Sequence, residues 1–202
     1  MRLAYADPPY LGCAKLYPEH EDAGLYDHVL AHVNLMDRMD DEYDGWALSL
    51  SSPSLRHILP YAPENARVAA WVKPFAAFKR NVRCAYTWEP VIFRPGCDRS
   101  ADGATVTRDH LSQPIALKKG LVGAKPDAFG RWVLDLLGYR DGLDSIHDLF
   151  PGTGLMERVT RQMVMAFHND IENSKGTGDM VRRAEKAGIK TTVLSSPPKD
   201  PT

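Results

Sequence analysis

Two short runs of residues in this chain, the first of them apolar, stop at turns that regular secondary structure cannot continue. The first run, MRLAYA, ends at DPPY, where two consecutive prolines cannot donate hydrogen bonds to a sheet. The second, SIHD, ends at LFPGTG, whose glycines let the backbone turn sharply and let a ligand approach closely. We interpret both runs as strands that lead directly into unusual turns.

Strand-like and helix-like segments alternate along the chain. The apolar patterns predict strands in WALSLSS, RVAAWVKP, CAYTWEPVIFRP and TTVLSS, and helices in residues 24–39, SLRHILPYAP, KPDAFGRWVLDLLG and LMERVTRQMVMAFHNDI. This alternation is typical of an α/β fold with a mostly parallel sheet. Because ligands bind at the carboxyl ends of the strands in such sheets, both turns are predicted to open onto one edge.

Composition limits the class of protein. Hydrophobic residues make up 44% of the chain, the formal net charge is −1, and neither a signal-like start nor a membrane-length apolar run occurs. We therefore expect a soluble, intracellular protein with no membrane partner. Three cysteines without CxxC spacing, and a histidine pair (His28 and His32) without a nearby third ligand, predict neither a disulfide framework nor a metal site.

Charge is distributed unevenly along the chain. Residues 19–44 are rich in acids, with Arg38 as their one base, whereas residues 67–125 are rich in lysine and arginine. This asymmetry fits an anionic partner on one face, and it fits equally well two solvated surfaces of opposite sign. The bases that we consider as phosphate contacts are Lys73, Lys79, Arg80, Arg83, Lys118 and Lys119.

The chemistry of DPPY suits a planar amine. The Asp7 carboxylate and a proline carbonyl are both acceptors, so together they can take two hydrogen bonds from a primary amine, and the Tyr10 ring offers a face for stacking. The alternative is a turn that merely ends a strand, with Asp7 facing solvent. For the second turn, the alternatives are a ligand loop at the start of a helix and an ordinary loop.

Taken together and in this order, DPPY, AKP and DLFPGTG resemble the motifs of the S-adenosylmethionine-dependent amino-methyltransferases that act on exocyclic nitrogens of DNA bases. DPPY resembles their catalytic motif, FPGTG their FxGxG cofactor motif, and Lys125-Pro126 a second cofactor motif. The catalytic motif comes first, which is the permuted arrangement of one class. The resemblance covers about residues 1–160 and is closest to small methylases of actinobacteria and their phages.

This resemblance implies a Rossmann-like methyltransferase sheet, mostly parallel with one antiparallel strand, and direct methyl transfer to adenine N6, or cytosine N4, of a base flipped out of double-stranded DNA. The implied catalytic residues are Asp7, Pro8, Pro9 and Tyr10. The implied cofactor is S-adenosylmethionine, and the residues implied to bind it are Ala6, Asp7, Lys125, Pro126, Asp148, Phe150, Pro151, Gly152, Thr153 and Gly154. The implied location is the cytoplasm of a bacterium or of a phage-infected host cell.

We expect one methyltransferase domain over residues 1–195, with residues 96–122 as a target-recognition insertion and residues 196–202 as a tail. Members of the family hold the cofactor ribose with an acid after the next strand, and here Asp170 and Glu172 are candidates by position alone. Either the sheet lacks its usual outer strands on that side, or TTVLSS replaces one. Two other functions stay open: methylation of RNA or of a small-molecule amine, and binding of nucleic acid by a catalytically degenerate relative.

Overall fold

The computed structural model divides into two units, Met1–Met156 and Glu157–Thr202. The structure describes residues 1–18, 22–74, 83–97, 106–116, 124–161, 163–167, 178, 181–182 and 190–194. The first unit contains the large sheet and both unusual turns, and the second contains a parallel pair of strands. The expectation of one domain over residues 1–195 stays a prediction.

A six-stranded sheet organises the first unit. Its strands are β1 (Arg2–Ala6), β2 (Gly45–Ser49), β3 (Arg67–Val72), β4 (Trp88–Arg94), β5 (His110–Ser112) and β6 (Ser145–Asp148). Their order in the sheet is β5-β3-β4-β2-β1-β6, and β4 is antiparallel to both of its neighbours while the other pairs are parallel. The predicted α/β fold, mostly parallel with an antiparallel strand, is confirmed.

The helices between the strands are α1 (Val29–Glu42), α2 (Ser52–Ile58), α3 (Asp127–Leu137) and α4 (Leu155–Arg161). Short 3-10 turns occupy Ala14–Leu16, Ala23–Asp27 and Leu59–Tyr61. The helix predicted over residues 24–39 is therefore a 3-10 turn followed by α1. At the far end of α3, Gly138 has a φ of 77° and closes the helix in the left-handed region, as its position after the apolar run predicts. Among the described residues, no helix has the length and apolarity to span a membrane.

Both faces of the central strands are buried, which explains why their sequences are nearly continuous apolar runs. On one face, Ala4 and Leu48 pack with Met36 and Met39 of α1 in a single core cluster. Because strand side chains alternate between faces, Tyr5 faces the other side, where its ring lies 6.2 Å from the Phe129 ring of α3. Helices thus cover the sheet on both sides.

Strand pairing brings the two unusual turns together. Strands β1 and β6 are parallel neighbours with Tyr5 opposite Asp148, and the Leu149 N–H donates to the Tyr5 carbonyl at 2.9 Å. After β1 the chain crosses to β2, on the side of β1 away from β6. The prediction that both turns leave one edge of the sheet is therefore confirmed, and this edge is where open α/β sheets bind ligands.

Two segments differ from their sequence-based assignments. The helix predicted from Leu155 through residue 171 ends at Arg161, and β7 (Met163–Phe167) follows it, parallel to β8 (Lys190–Leu194). A short apolar run such as MVMAF has no period that separates helix from strand, and pairing with the TTVL segment decides the outcome. Within residues 96–122, predicted as a loop, β5 adds to the exposed edge of β3.

Candidate active site

The DPPY turn begins where β1 ends. Pro8 and Pro9 are buried and lack the N–H groups that would continue the ladder, so the chain leaves the sheet at Asp7. The Tyr10 carbonyl then accepts a hydrogen bond from the Cys13 N–H at 2.8 Å. The turn consequently holds the Asp7 carboxylate at the carboxyl end of β1.

A lysine that is 118 residues away in sequence pairs with this carboxylate. Lys125 precedes α3, and its Nζ lies 2.5 Å from Asp7 Oδ2, 3.1 Å from Tyr10 Oη and 3.9 Å from Glu89 Oε2. Its side chain is 7% exposed. Burial by itself lowers the pKa of Lys125, but the negative charges of Asp7 and Glu89 outweigh burial and raise it. Lys125 is therefore a fixed ammonium ion.

A second carboxylate, from β4, completes the cluster. Glu89 accepts a hydrogen bond from Tyr10 Oη on Oε2 at 2.9 Å and pairs with Lys73 Nζ through Oε1 at 2.7 Å. Burial favours a raised pKa for Glu89, yet the positive charges of Lys125 and Lys73 lower it, so Glu89 is ionised. The antiparallel pairing of Trp71 with Glu89 fixes the latter on rigid strand backbone.

Tyr10 lies between the two carboxylates as a neutral phenol. Burial, followed by the negative charges of Asp7 and Glu89, raises the pKa of Tyr10 well above its ordinary value. The ring also lies under the Lys125 ammonium, with Nζ 5.6 Å from its centroid. We name the group Asp7, Tyr10, Lys73, Glu89 and Lys125 the carboxylate cluster. Its two negative and two positive charges balance.

The glycine turn after β6 is shaped by its own first residue. Asp148 accepts hydrogen bonds from the N–H groups of Phe150, at 3.2 Å, and of Met156. Burial, and next the charge of Asp7, raise the pKa of Asp148 despite these bonds. Gly152 and Gly154 have φ values of 42° and 69°, in the left-handed region that disfavours other residues.

The space around Gly152 in this turn is open. A Cβ added to Gly152 would come no closer than 3.7 Å, the distance to the Phe150 carbonyl oxygen. The Phe150 ring packs edge-on against the Tyr26 ring, with 5.2 Å between their centroids. Tyr26 belongs to the 3-10 turn Ala23–Asp27, which therefore supports the glycine turn from one side. An open, left-handed glycine at the carboxyl end of a strand fits a ligand that contacts backbone.

A groove adjoins the DPPY turn. It has a volume of about 320 Å³ and is lined by Leu11, Gly12, Asp27, Val29, Pro53, Ser54, Arg56 and His57. Arg56 and His57 are exposed and belong to the last turn of α2, which directly follows β2. Sequence reasoning identified neither of these residues.

The structure brings several predicted site residues together. Asp7, Tyr10 and Lys125 are in direct contact, and residues 148–154 form the turn on the neighbouring strand. Lys73, predicted among the phosphate contacts, is paired with Glu89 inside the cluster and is 13% exposed. Arg83 is exposed. The residues Lys79, Arg80, Lys118, Lys119, Asp170 and Glu172 lie outside the described residues.

Glu89 is the site residue that the sequence analysis missed. It lies in the segment WEPVIF, which the apolar pattern identifies as a strand. A single carboxylate at the start of a strand is usually interpreted as a solvent-exposed residue at the strand end. An acid directly before a proline in an otherwise apolar strand was the available signal. Its partners Tyr10 and Lys73 are 79 and 16 residues away in sequence.

Comparisons with known proteins show a similarity of structure but none of sequence family. No family model and no curated protein matches the chain. Among solved structures, the chain is similar to the crystal structure of the M1.HpyAVI-SAM complex, with 11% sequence identity and a TM-score of 0.49, over 98% of this chain and 84% of that chain. The geometry of the site carries the functional interpretation on its own.

Proposed function

We propose that this protein is an S-adenosylmethionine-dependent methyltransferase that acts on an exocyclic amino group of a nucleobase, adenine N6 in DNA. One observation carries the proposal. A partly exposed carboxylate, Asp7, has one oxygen held by the buried Lys125 ammonium, and it stands beside an open glycine turn at the carboxyl edge of the sheet. An amine acceptor and a ligand turn on adjacent strands are what direct transfer between two bound molecules requires.

Under this proposal, the glycine turn holds the cofactor. The binding residues are Ala6, Asp7, Lys125, Pro126, Asp148, Phe150, Pro151, Gly152, Thr153 and Gly154. The open space over Gly152 supports this assignment, and so does the way in which Asp148 uses its carboxylate to shape the turn. The cofactor supplies a methyl group on a positively charged sulfur.

The protein groups position the amine. Asp7 Oδ1 accepts one amine N–H and the Pro8 carbonyl accepts the other, which directs the nitrogen lone pair at the methyl carbon. When bound, the cofactor would supply the methyl group: a nitrogen–carbon bond would form, the carbon–sulfur bond would break, and its electron pair would stay on sulfur. The nitrogen then loses one proton to Asp7 and from there to solvent. Asp7 stabilises the positive charge that grows on nitrogen, and Tyr10 stacks on the flipped base.

The direct test identifies the product. The purified protein is incubated with methyl-labelled S-adenosylmethionine and, separately, double-stranded DNA, RNA and free nucleosides, and the digested products are resolved by chromatography. We expect label in N6-methyladenine from DNA. Label in N4-methylcytosine, in RNA or in a nucleoside would redirect the proposal to that substrate. Cofactor binding without transfer to any of them would identify a degenerate relative.

Asp7 is expected to be essential for transfer, whereas its substitution should leave cofactor binding largely intact because the other binding residues remain. Removal of one transition-state stabilising group costs roughly 10²- to 10³-fold in rate, so Asp7→Asn should lose at least that much activity. Asn is preferred to Ala because it keeps an oxygen for the buried Lys125 ammonium, whereas Asp7→Ala would remove the nearest partner of that charge. Equilibrium dialysis with labelled cofactor gives the binding constant, and Asp37→Asn, on the exposed side of α1, is the matched control. Normal methylation by Asp7→Asn would eliminate this mechanism.

A further inference from the structure

The carboxylate cluster contains more groups than the proposed transfer uses, and we infer that Glu89 is a positioning residue that keeps Asp7 Oδ1 free for the substrate amine. It does so by accepting the hydrogen bond that the Tyr10 hydroxyl donates. This inference rests on the proposed function and assigns a role within the same site.

The inference follows from counting protons. A neutral phenol has one O–H proton and donates one strong hydrogen bond. Tyr10 Oη has two carboxylate oxygens within reach, Glu89 Oε2 at 2.9 Å and Asp7 Oδ1 at 3.2 Å. The Lys125 ammonium, 3.1 Å from Oη, donates to the phenol and cannot accept from it. Since the shorter O–H···O distance marks the stronger bond, the Tyr10 hydroxyl donates to Glu89 rather than to Asp7.

The oxygens of Asp7 then have different tasks. Oδ2 is held by Lys125 at 2.5 Å, and Oδ1 retains its acceptor capacity once Tyr10 donates elsewhere. Asp7 is also the most accessible of the charged cluster members, with 29% of its side chain exposed against 17% for Glu89 and 7% for Lys125. An incoming amine meets Asp7 first.

Glu89 is well placed to accept this hydrogen bond from Tyr10 at all times. Lys73 binds its other oxygen, Oε1, at 2.7 Å, and the Lys73 N–H donates to the Thr87 carbonyl at 2.7 Å, so both partners are fixed across the β3–β4 pair. Asp7, by contrast, lies on a turn. The rigid carboxylate of Glu89 accepts the hydrogen bond from Tyr10, and the more accessible carboxylate of Asp7 stays available to the amine.

The test is a double-mutant cycle on the full chain with Glu89→Gln and Tyr10→Phe. In Glu89→Gln, the Lys73 ammonium selects the amide oxygen and leaves the NH₂ group facing Tyr10, so the tyrosine proton must turn to Asp7 and compete with the amine. We expect kcat to fall about tenfold or more, with unchanged cofactor affinity. Tyr10→Phe keeps the ring but removes the competing hydroxyl, so adding Glu89→Gln to it should lower kcat less than about threefold.

Each result of the cycle supports or overturns the inference. A role through charge or folding alone would give the same kcat ratio for Glu89→Gln in the Tyr10 and Phe backgrounds, and that result would overturn it. The exposed pair Glu64→Gln and Tyr86→Phe serves as the matched control and should leave kcat unchanged.

A second measurement on the same proteins is independent of activity. If Tyr10 donates to Glu89, the effects of the two substitutions on the free energy of unfolding are non-additive, and additive effects would overturn the assignment of the proton. Failure of the proposed function looks different. In that case the unsubstituted protein methylates no substrate, whereas failure of this inference alone leaves an active enzyme with equal kcat ratios.

Discussion

Four charged side chains are packed together at the carboxyl edge of the sheet, and stability does not explain them. Moving charges out of water costs several kcal/mol each, and well-packed apolar residues often serve stability as well or better. Lys125 and Glu89 nevertheless retain their charges because each neutralises the other and a further partner. A cluster of this kind beside an open turn is typical of a site that handles charge in its ligands.

One buried histidine predicts a pH-dependent stability. His32 is fully buried, its Nε2 lies 2.9 Å from the Tyr26 carbonyl, and Nδ1 has no hydrogen-bond partner among the residues that the structure describes. The carbonyl partner requires the proton on Nε2, so Nδ1 carries a bare lone pair. Burial lowers the pKa of His32, and the hydrogen bond to Tyr26 offsets only part of that effect.

The direction in which the free energy of unfolding changes with pH follows from proton uptake by the unfolded chain. Below about pH 6.5 the unfolded chain protonates this histidine while the folded chain does not, so the free energy of unfolding falls as pH falls, by at most about 1.4 kcal/mol per pH unit. Denaturant unfolding at pH 7.5 and pH 5.5 measures the loss. His32→Gln keeps a donor for Tyr26 and should flatten the difference, while the exposed His28→Gln should not. An unflattened difference in His32→Gln would show that other groups cause it.

At the scale of elements, one carboxylate adds polar links between the end of α1 and the sheet to the apolar packing of that helix. Asp40 Oδ1 accepts hydrogen bonds from the Trp46 indole at 2.8 Å and from Arg94 Nε at 2.6 Å. Arg94 Nη2 also donates to the Asp40 and Tyr43 carbonyls at the end of the helix. These bonds join α1, β2 and β4 at the edge opposite the site and close the last turn of α1.

Removal of the Asp40 carboxylate is expected to weaken the links between α1, β2 and β4. Asp40→Ala leaves the buried Trp46 N–H without an acceptor and Arg94 without its ion pair, and should lower the free energy of unfolding by about 1–3 kcal/mol. The neighbouring exposed Asp41→Ala should stay within about 0.5 kcal/mol. Equal losses from the two variants, measured by denaturant unfolding, would mean that Asp40 contributes only surface charge.

Element prediction succeeded or failed according to how much local information each segment carries. The central strand β2 is buried along its whole length, so its apolar residues identify it without reference to partners. The run MVMAF is equally apolar, but it follows a helix with no breaker between them, and only its pairing with β8 makes it a strand. The edge strand β5 consists of His110, Leu111 and Ser112, which carry no period to detect.

At the scale of the whole molecule, the net charge of −1 makes nucleic-acid binding depend on where the bases lie rather than on their number. Two of the predicted phosphate contacts differ in this respect. Arg83 is exposed, whereas Lys73 is committed to Glu89 within the carboxylate cluster. Only an exposed base releases counterions from DNA when it binds a phosphate.

The salt dependence of DNA binding separates these two bases. On the DNA proposal, Arg83→Gln should reduce the slope of log K against log salt by about 0.9, the value for one phosphate contact, and Lys73→Gln should leave the slope unchanged. Fluorescence anisotropy of a labelled duplex at several salt concentrations measures both, with a thermal unfolding check that Lys73→Gln is folded. If Lys73→Gln changed the slope as much as Arg83→Gln does, Lys73 would have to contact a DNA phosphate.

The amino-acid sequence by itself determined the two turns, because their causes are local: proline lacks the N–H that a sheet needs, and glycine tolerates the left-handed backbone of the second turn. It also determined the alternation of strands and helices, since apolar periodicity reflects burial. The tertiary structure alone decided which charges meet. Asp7 and Lys125 are 118 residues apart, and Tyr10 and Glu89 are 79 apart. Such pairs depend on strand order and register, which no local pattern encodes.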